Sequence, residues 1–518
     1  MTEINDRIAR LDLIGSAERP TASVTPDQVL AEVLAILAAA EFACLTADER
    51  SAVLYRLHLI YSGSWHVSGL QIIPAVERAA QALFADNDAP LAALCVAYDL
   101  LFFLYWCWYT SADQQVSFGA DVVAPFCAAI AARKASAPTA EPSKAAPARR
   151  VGYLAQFVSP GPGNAIAGAN AVILRALAAA SPDAPPILYA WLFHDPETLA
   201  AYAALGIEIR PVTGNSTAER IDALRLMIAA DAPDVLITDM NTALPTALFM
   251  ERVAPIQIFY QFGMPIWPVP QVDAVFHVWD FDRAKAGLAH CPHLRLTIPY
   301  DLARFAGPAD PEALASERAA LPSGRLIGTY GRLSKITPAF VEAAAAGIAR
   351  HPDVTVVFGG SGDGGPIRDK IDAMGLSQRF LVLERFVDGH VWGDMLDIFL
   401  DTFPQPGGAS CLEVIAKGKP VVGLVTSEAS NLARDERVAS LVASDAAGYA
   451  RILDRILADP CAYAQACEET RGLAARYPDE ASYRAKLAQA IDRLRRGRDP
   501  NSLRELFGRM ARRAFARP

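Results

Sequence analysis

The sequence predicts an α/β protein: two Rossmann-like domains in tandem, preceded by an all-α N-terminal domain. Three observations carry this expectation. Residues 25–132 show helical spacing of apolar residues throughout; a Pro-, Ala- and Ser-rich stretch at 133–149 has no periodicity; and beyond it short β-rich runs alternate with Ala/Leu-rich helical segments, in two successive series. Alternation of this kind is the pattern of βαβ units and a parallel sheet. At 518 residues the chain also exceeds what one core supports, because single cores rarely grow beyond about 250–300 residues. The expected division is an all-α domain at 1–132, a linker at 133–149, a first Rossmann-like domain at 150–300, a second at 301–498, and a basic C-terminal tail at 499–518.

The helical segment opens at Thr25-Pro26-Asp27 before VLAEVLAILAAAEF, and again at Thr46, with Asp48 and Glu49 in the first turn that follows. Leu91–Tyr109 is long and apolar enough to suggest a bilayer span. Its one charge, Asp99, sits near the middle, where insertion costs roughly 2.5–3.5 kcal/mol, and no Lys/Arg cluster flanks it, so a buried core helix is expected. In the first α/β series the strand-like runs are VGYLAQF, PILYAWLF, IEIRPV, DVLITDM, PIQIFYQF and AVFHVWD. In the second they are RLIGTYG, VTVVFGG, FLVLERF, IFLDTF and PVVGLV, with helices between them. The last stretch, from Arg493 to Pro518, carries nine arginines and apolar residues at helical spacing. A solvated helix docked on the body is expected there, with a weak contact to a partner or an anionic membrane surface as the alternative.

Hydrophobic residues at 52% and charged residues at 20% exclude a mainly disordered chain, and a net charge of -9 offers no overall positive field for nucleic acid. The eight cysteines form no CxxC pair and read as buried thiols, not as a zinc knuckle or disulfide framework. No secretory signal is visible in the first residues, so a cytoplasmic location is expected.

In open α/β sheets ligands bind outside the carboxyl ends of the strands, and three strand-end loops of the second series carry suitable residues. Phe358–Ile367 is a glycine-rich turn from strand to helix, a weak phosphate-site signal that is as often structural. Thr402–Glu413 leads through Gly407 and Gly408 into a helix presenting Ser410 and, one turn later, Glu413. There a diphosphate can rest on the helix N-terminus while the carboxylate accepts from ribose hydroxyls. Tyr330–Pro338 places Arg332 and Lys335 at the end of the first strand of this series, where a cation can neutralise a leaving diphosphate.

These loops resemble those of O-GlcNAc transferase and its bacterial relatives. GRLSKITPAFVEA is similar to their Gln-Leu-x-Lys-Ile-x-Pro segment through Leu333, Lys335, Ile336 and Pro338; FLDTFPQPGGASCLEVIAKGKPVV resembles their Leu-Asp-Thr loop and the helix after it. Ala254-Pro-Ile-Gln257 with Phe262-Gly-Met-Pro265 resembles their Ala-Pro-Ile-Gln, Gly-x-Pro segment, and Arg150-Val-Gly-Tyr153 their first strand. The matches fall in the same order over about 300 residues; the absence of a tetratricopeptide-like repeat and the all-α domain make the layout closest to the bacterial adhesin N-glucosyltransferases.

The resemblance implies the GT-B fold, two facing Rossmann-like domains with a UDP-sugar held mainly by the C-terminal one, and no cofactor or metal. It implies donor-binding roles for Arg332, Lys335, His390, Gly407, Gly408, Ala409, Ser410 and Glu413, with Lys335 also catalytic. On the acceptor side it points to Asn164, Gln261 and Gly263, and to a protein acceptor such as an adhesin or flagellin. The chain departs from the family in lacking a histidine in the loop Gln156–Asn164, and in having Gly408, Ala409, Ser410 and Glu413 where the eukaryotic enzyme has His-Thr-Thr and an aspartate. Trp279-Asp-Phe-Asp282 contains a DxD, a metal-binding pattern in other glycosyltransferases, but lies away from the donor loops. His194 and His277 end strands of the first series and read as structural; Asp239, at the end of LITDM and followed by Asn241, is the candidate acceptor-side base.

The activity these residues suggest is an inverting transfer of a hexose or N-acetylhexosamine from UDP to an Asn or Ser/Thr side chain. A GT-B transferase acting on a glycan, lipid or small molecule, and a non-catalytic nucleotide-sugar or partner-binding protein, are the two alternatives.

Overall fold

The computed structural model describes residues 26–38, 40–62, 71–108, 117–136, 148–159, 165–192, 194–262, 267–277, 291–425 and 440–497. They fall into two compact units, one built from the described residues up to 298 together with those from Glu480 onward, the other from Pro299–Asp479. Asn164, Gly263, the Trp279–Asp282 motif and the tail 499–518 lie outside the described residues.

The first unit holds a seven-stranded, wholly parallel sheet: β1 (Ala148–Ala155), β2 (Ile187–Ala190), β3 (Glu208–Pro211), β4 (Pro233–Thr238), β5 (Ile256–Gln261), β6 (Ala274–His277) and β7 (His293–Arg295). Their order is β3-β2-β1-β4-β5-β6-β7. The second unit repeats this with β8 (Arg325–Arg332), β9 (Val354–Ser361), β10 (Phe380–Leu383), β11 (Ile398–Leu400), β12 (Val421–Leu424) and β13 (Val442–Ala443), in the order β10-β9-β8-β11-β12-β13. Both are the doubly wound arrangement, in which the strand order reverses at one point: between β1 and β4 in the first sheet, between β8 and β11 in the second. Apolar runs such as Val356–Phe358 form the inner strands because helices cover both faces. The short edge strands β7 and β13 have no counterpart in the sequence expectation.

Three boundaries differ from that expectation. β1 begins at Ala148, inside the expected linker. The helix Glu480–Arg496, expected to close the second Rossmann-like domain, belongs to the first unit: Tyr483, Leu487, Ile491 and Leu494 enter the core of the first sheet. Tyr483 and Tyr260 hydroxyls meet at 3.1 Å, and Arg495 grips Asp234 through two hydrogen bonds of 2.7 and 2.9 Å. Its apolar stripe says that the helix is packed, but the stripe is not specific to one sheet.

The helical segment, expected as a separate domain, is likewise part of the first unit. The helix Ala47–Ser62 opens with a reciprocal capping box, the Thr46 amide donating to Glu49 at 2.8 Å and the Glu49 amide to the Thr46 hydroxyl at 3.3 Å. The apolar helix Leu91–Trp108 is packed against neighbouring helices, with Tyr98 fully buried between Phe118 and Phe126. Tyr98 donates to the Asn241 carbonyl at 2.9 Å and Asp99 accepts the Ala243 amide at 2.8 Å, so adjacent residues hold the turn after β4 and cap the helix Ala243–Met250. Among the described residues no helix is long and apolar enough to cross a membrane.

Loss of solvation pushes the Asp99 carboxyl from its ordinary 3.8 up to about 7. A carboxyl held neutral in the fold but ionised in the unfolded chain makes stability fall as pH rises from about 4 to about 7 and level off above. Asp99→Asn keeps an oxygen for the Ala243 amide and removes the titration. Its melting temperature is therefore expected to gain on the parent's steadily over that window, by roughly 2 °C or more per kcal/mol recovered. Melts recorded at several pH values check this; a constant offset at every pH would contradict it.

Candidate active site

The carboxyl ends of β8 and β11, neighbours at the reversal of the second sheet, bring together most of the residues singled out from the sequence. β8 ends at Arg332 and passes through the single turn Leu333–Lys335 into the helix Pro338–Gly347, capped by Thr337. β11 ends at Leu400 and is followed by Asp401, whose carboxylate, 2% exposed, accepts the backbone N–H of Gly407 six residues on. That bond draws residues 402–406 into a closed loop. The loop is tightened by the Thr402 hydroxyl donating to the Gln405 carbonyl at 2.6 Å and by the Thr337 hydroxyl donating to the Phe403 carbonyl at 3.0 Å. Lys335 joins from the other strand, its Nζ donating to the Pro406 carbonyl at 2.8 Å.

The loop delivers the chain into the helix Ala409–Lys417. Gly408 is its N-cap at φ +61°, a conformation that favours glycine, and the Ser410 hydroxyl donates back to the Gly407 carbonyl at 2.9 Å. The amides of the first helical turn and the macrodipole provide a partial positive charge there, beside Lys335. Burial pushes the Lys335 ammonium down to about 8; Arg332 adds to this by repulsion and Asp401 opposes it. Burial also raises the Asp401 carboxyl to about 6, opposed by the amides of Gly407 and Thr402 and by Lys335.

Glu413, one turn into the helix, accepts from the Tyr300 hydroxyl at 2.8 Å, while the neighbouring Tyr330 hydroxyl is directed to the Gly389 and Ser410 carbonyls at 3.2 and 3.3 Å. Desolvation raises the Glu413 carboxyl above its ordinary value, opposed by the nearby Tyr300 and Tyr330 hydroxyls. Gly389 lies so close that a Cβ there would sit 1.9 Å from Glu413 Oε2. The next residue, His390, is in the first turn of the helix Gly389–Met395, where Asp388 accepts its amide at 2.8 Å. Its ring meets Phe305 edge to face at 5.9 Å, Phe305 stacks on Tyr300 at 5.7 Å, and His390 Nδ1 is buried without a partner.

Lys335, Arg332, Gly407, Gly408, Ala409, Ser410, Glu413 and His390 thus occupy one continuous rim. Sequence reasoning missed Tyr300, Phe305, Tyr330 and the supporting role of Asp401. The signal available for the first two was the motif Tyr300-Asp-Leu-Ala-Arg-Phe305, in which Asp301 caps a one-turn helix. The glycine-rich turn after β9 is structural: the Gly364 and Gly365 amides donate to Glu384 and Asp363.

On the first unit, Gln156, Trp191, Gln261 and His277 sit at one level of register just beyond or at the ends of β1, β2, β5 and β6. Gln156 Oε1, Trp191 Nε1 and Gln261 Oε1 are buried without hydrogen-bond partners, a concentration of unmet polar groups at the reversal point that is unusual in folded proteins. Asp239 does not join this row. It sits one residue earlier, among Ala155, Ala190 and Tyr260, and faces the helix Ala165–Ala180, whose Asn170 donates to it at 2.8 Å. Its carboxyl is 5% exposed and pushed up to about 7 by desolvation, and its Oδ1 is buried without a hydrogen-bond partner. His194 is exposed, and His277 is buried with its ring 5.8 Å from that of His293. Among the described residues no cluster of three or more His, Cys, Asp or Glu side chains could hold a metal ion.

The sequence matches no protein-family model and no curated protein. Solved structures do match the fold. The O-GlcNAc transferase of Thermobaculum terrenum, in a mutant form, superposes with a TM-score of 0.56 at 18% identity, covering 95% of this chain and 98% of that one. Anabaena HepE in complex with UDP and glucose matches at a TM-score of 0.51 and 16% identity over 67% of this chain and 100% of its own. The sucrose-phosphate synthase of Thermosynechococcus elongatus matches at 0.50 and 14% over 67% and 99%. The chain has the GT-B fold of these glycosyltransferases, with a helical N-terminal region.

The contact between Gly389 and Glu413 is testable by itself. Gly389→Ala must displace the carboxylate from Tyr300, at an expected cost of about 1–3 kcal/mol for the broken charge-assisted bond and the group left unmatched. Gly168→Ala, in the helix Ala165–Ala180 with nothing within 4 Å of its Cβ, should gain about 0.5–1 kcal/mol. Comparative melts that showed Gly389→Ala as harmless as Gly168→Ala would contradict the packing described.

Proposed function

We propose that this chain is an inverting glycosyltransferase that moves a hexose or N-acetylhexosamine from a UDP-sugar to an Asn, Ser or Thr side chain of a protein. The observation that supports this best is the convergence, at the β8/β11 reversal, of Lys335, a helix N-terminus and Glu413 within an aromatic rim. Each part suits one portion of a nucleoside diphosphate. The amide end of Ala409–Lys417 and Lys335 face the two phosphates, Glu413 takes the ribose hydroxyls, and the Tyr300, Phe305 and His390 surface accepts the base. In the reaction the bond from the anomeric carbon to the phosphate oxygen breaks as the acceptor heteroatom attacks from the opposite face and gives up its proton to an acceptor-side base or to water. Negative charge gathers on the departing UDP, where fixed positive charge is most effective. Lys335, Arg332 and the helix end supply that charge from the protein, so the reading includes no metal and no cofactor.

A protein acceptor is favoured over a glycan, lipid or small molecule by the extent of the matches. The O-GlcNAc transferase aligns with 95% of the chain, helical region included, whereas HepE and the sucrose-phosphate synthase align with about two thirds. The neutral row Gln156, Trp191 and Gln261 suits an amide or hydroxyl better than a phosphorylated acceptor.

Lys335 is expected to act most where charge develops. Lys335→Ala should lower single-turnover rate at saturating donor by roughly 10²-fold with a smaller loss of UDP affinity. Glu413→Ala should weaken UDP binding about ten- to a hundredfold and leave the saturated rate nearly intact. Calorimetry with UDP and quenched-flow assays of UDP release separate the two; parent-like behaviour of both variants would refute the site. Chelation by EDTA should leave UDP release unchanged, and strict dependence on manganese or magnesium would return Trp279-Asp-Phe-Asp282 to consideration.

A further inference from the structure

We infer that Asp401 is a positioning residue that keeps Lys335 protonated and seated against the loop 402–407, so that nucleotide binding at this site is coupled to one proton on Lys335. The inference rests on the UDP-sugar reading above and adds to it a residue that never touches the donor.

Asp401 and Lys335 hold adjacent residues of the same loop, Asp401 by accepting the Gly407 amide and Lys335 by donating to the Pro406 carbonyl. The two side chains come from different strands and bear opposite charge. The charged groups facing Lys335 are few. Arg332, from the same turn after β8, repels it; Asp401, after β11, attracts it; and the surroundings withhold solvent. Facing Asp401 are Lys335 and the amides of Gly407 and Thr402. Tyr449 and Cys411 also sense its charge, but burial raises both well above their ordinary values, so they remain neutral. Asp401 therefore supplies the negative charge that offsets burial and Arg332. Without it, a larger share of the lysine would meet a diphosphate as a neutral amine at a given pH.

The linkage follows from the same balance. With Lys335 poised near pH 8, a fraction of the molecules carries a neutral amine at mildly alkaline pH. An arriving diphosphate adds negative charge beside Nζ, and the amine takes one proton from the buffer. Asp401→Asn removes the offsetting charge while its side-chain oxygen can still accept the Gly407 amide. The midpoint should then move down by about one pH unit or more, the usual effect of losing an opposite charge at close range.

The experiment is titration calorimetry of the full chain with UDP, in pairs of buffers of different ionisation heat, from about pH 6 to about pH 9. Lys335→Arg serves as the baseline, because guanidinium does not deprotonate in this range and the ligand's own titration is common to all variants. Relative to it, the parent should take up about half a proton per UDP near pH 8, with affinity falling by up to tenfold per pH unit above. Asp401→Asn should show that half-proton uptake near pH 7. Equal midpoints in the parent and Asp401→Asn, or a loss of affinity that is the same at every pH, would reduce Asp401 to a structural residue and overturn the inference. If the parent and Lys335→Arg take up protons alike, the proton is not on Lys335 and the inference fails even where Asp401→Asn does not fold. A parent that binds no UDP at all would instead overturn the nucleotide reading itself.

Discussion

A buried carboxylate accepting one backbone N–H, Asp401 to Gly407, is the constraint on which the rest of the second unit's rim depends. It fixes where the chain leaves β11, and the geometry downstream follows. Because Gly407 is anchored, Gly408 must turn at positive φ, which aims the first turn of Ala409–Lys417 toward the end of β8. Glu413, one turn later, is then set against Gly389, Tyr300 and Tyr330 by helical spacing alone. The anchor is costly, since Asp401 is almost fully enclosed, and desolvation raises its carboxyl. Two amides and a nearby ammonium offset that cost, which ties the loop's shape to the charge that the loop presents.

Much of this was legible in the sequence because it is local. Strand and helix alternation, the Thr46 cap, and the Lys335 and Gly407–Glu413 segments are each encoded within a dozen residues. What was not legible depends on pairing between distant strands. Asp239 and Gln261 both end strands of the first sheet, yet the register puts Asp239 level with Ala155 and Tyr260 and Gln261 one residue beyond. Successive residues of a strand face opposite sides, so that single step sends one side chain to Asn170 and places the other in the row with Gln156 and Trp191. Tyr300 and Phe305 were missed for a related reason: they follow β7, and nothing local indicates that the chain returns to the helix bearing Glu413. The helix Glu480–Arg496 shows an apolar stripe without an address, which partners distant in sequence such as Asp234 and Tyr260 supply.

The helical segment meets the first unit's α/β part at the turn after β4 and on the helices Thr217–Asp231 and Ala243–Met250 beside it. Tyr98 and Asp99, adjacent on the apolar helix, engage Asn241 and Ala243, while Asp239 at the start of the same turn is held by Asn170 from the opposite side. The Thr246 hydroxyl extends this contact, lying 3.2 Å from the Tyr98 hydroxyl and receiving the Trp267 indole N–H at 2.8 Å. A helix that is apolar all round needs partners on every side. Here one of those partners is the turn after β4, so a segment that reads as an independent domain contributes to the rigidity of the strand-end region.

The two sheets share a strand order and differ in what they place at the reversal. At β8 and β11 the strand ends bring two cations, a helix N-terminus and a carboxylate one turn inward, a set that matches the charge alternation of a nucleoside diphosphate. At β1, β4 and β5 the corresponding positions hold Gln156, Met240 and Gln261, neutral groups. An amide can donate or accept but brings no field, so it orients a neutral group without binding an anion. A shared strand order therefore leads to opposite electrostatic characters, set by the side chains at a few positions beyond each strand.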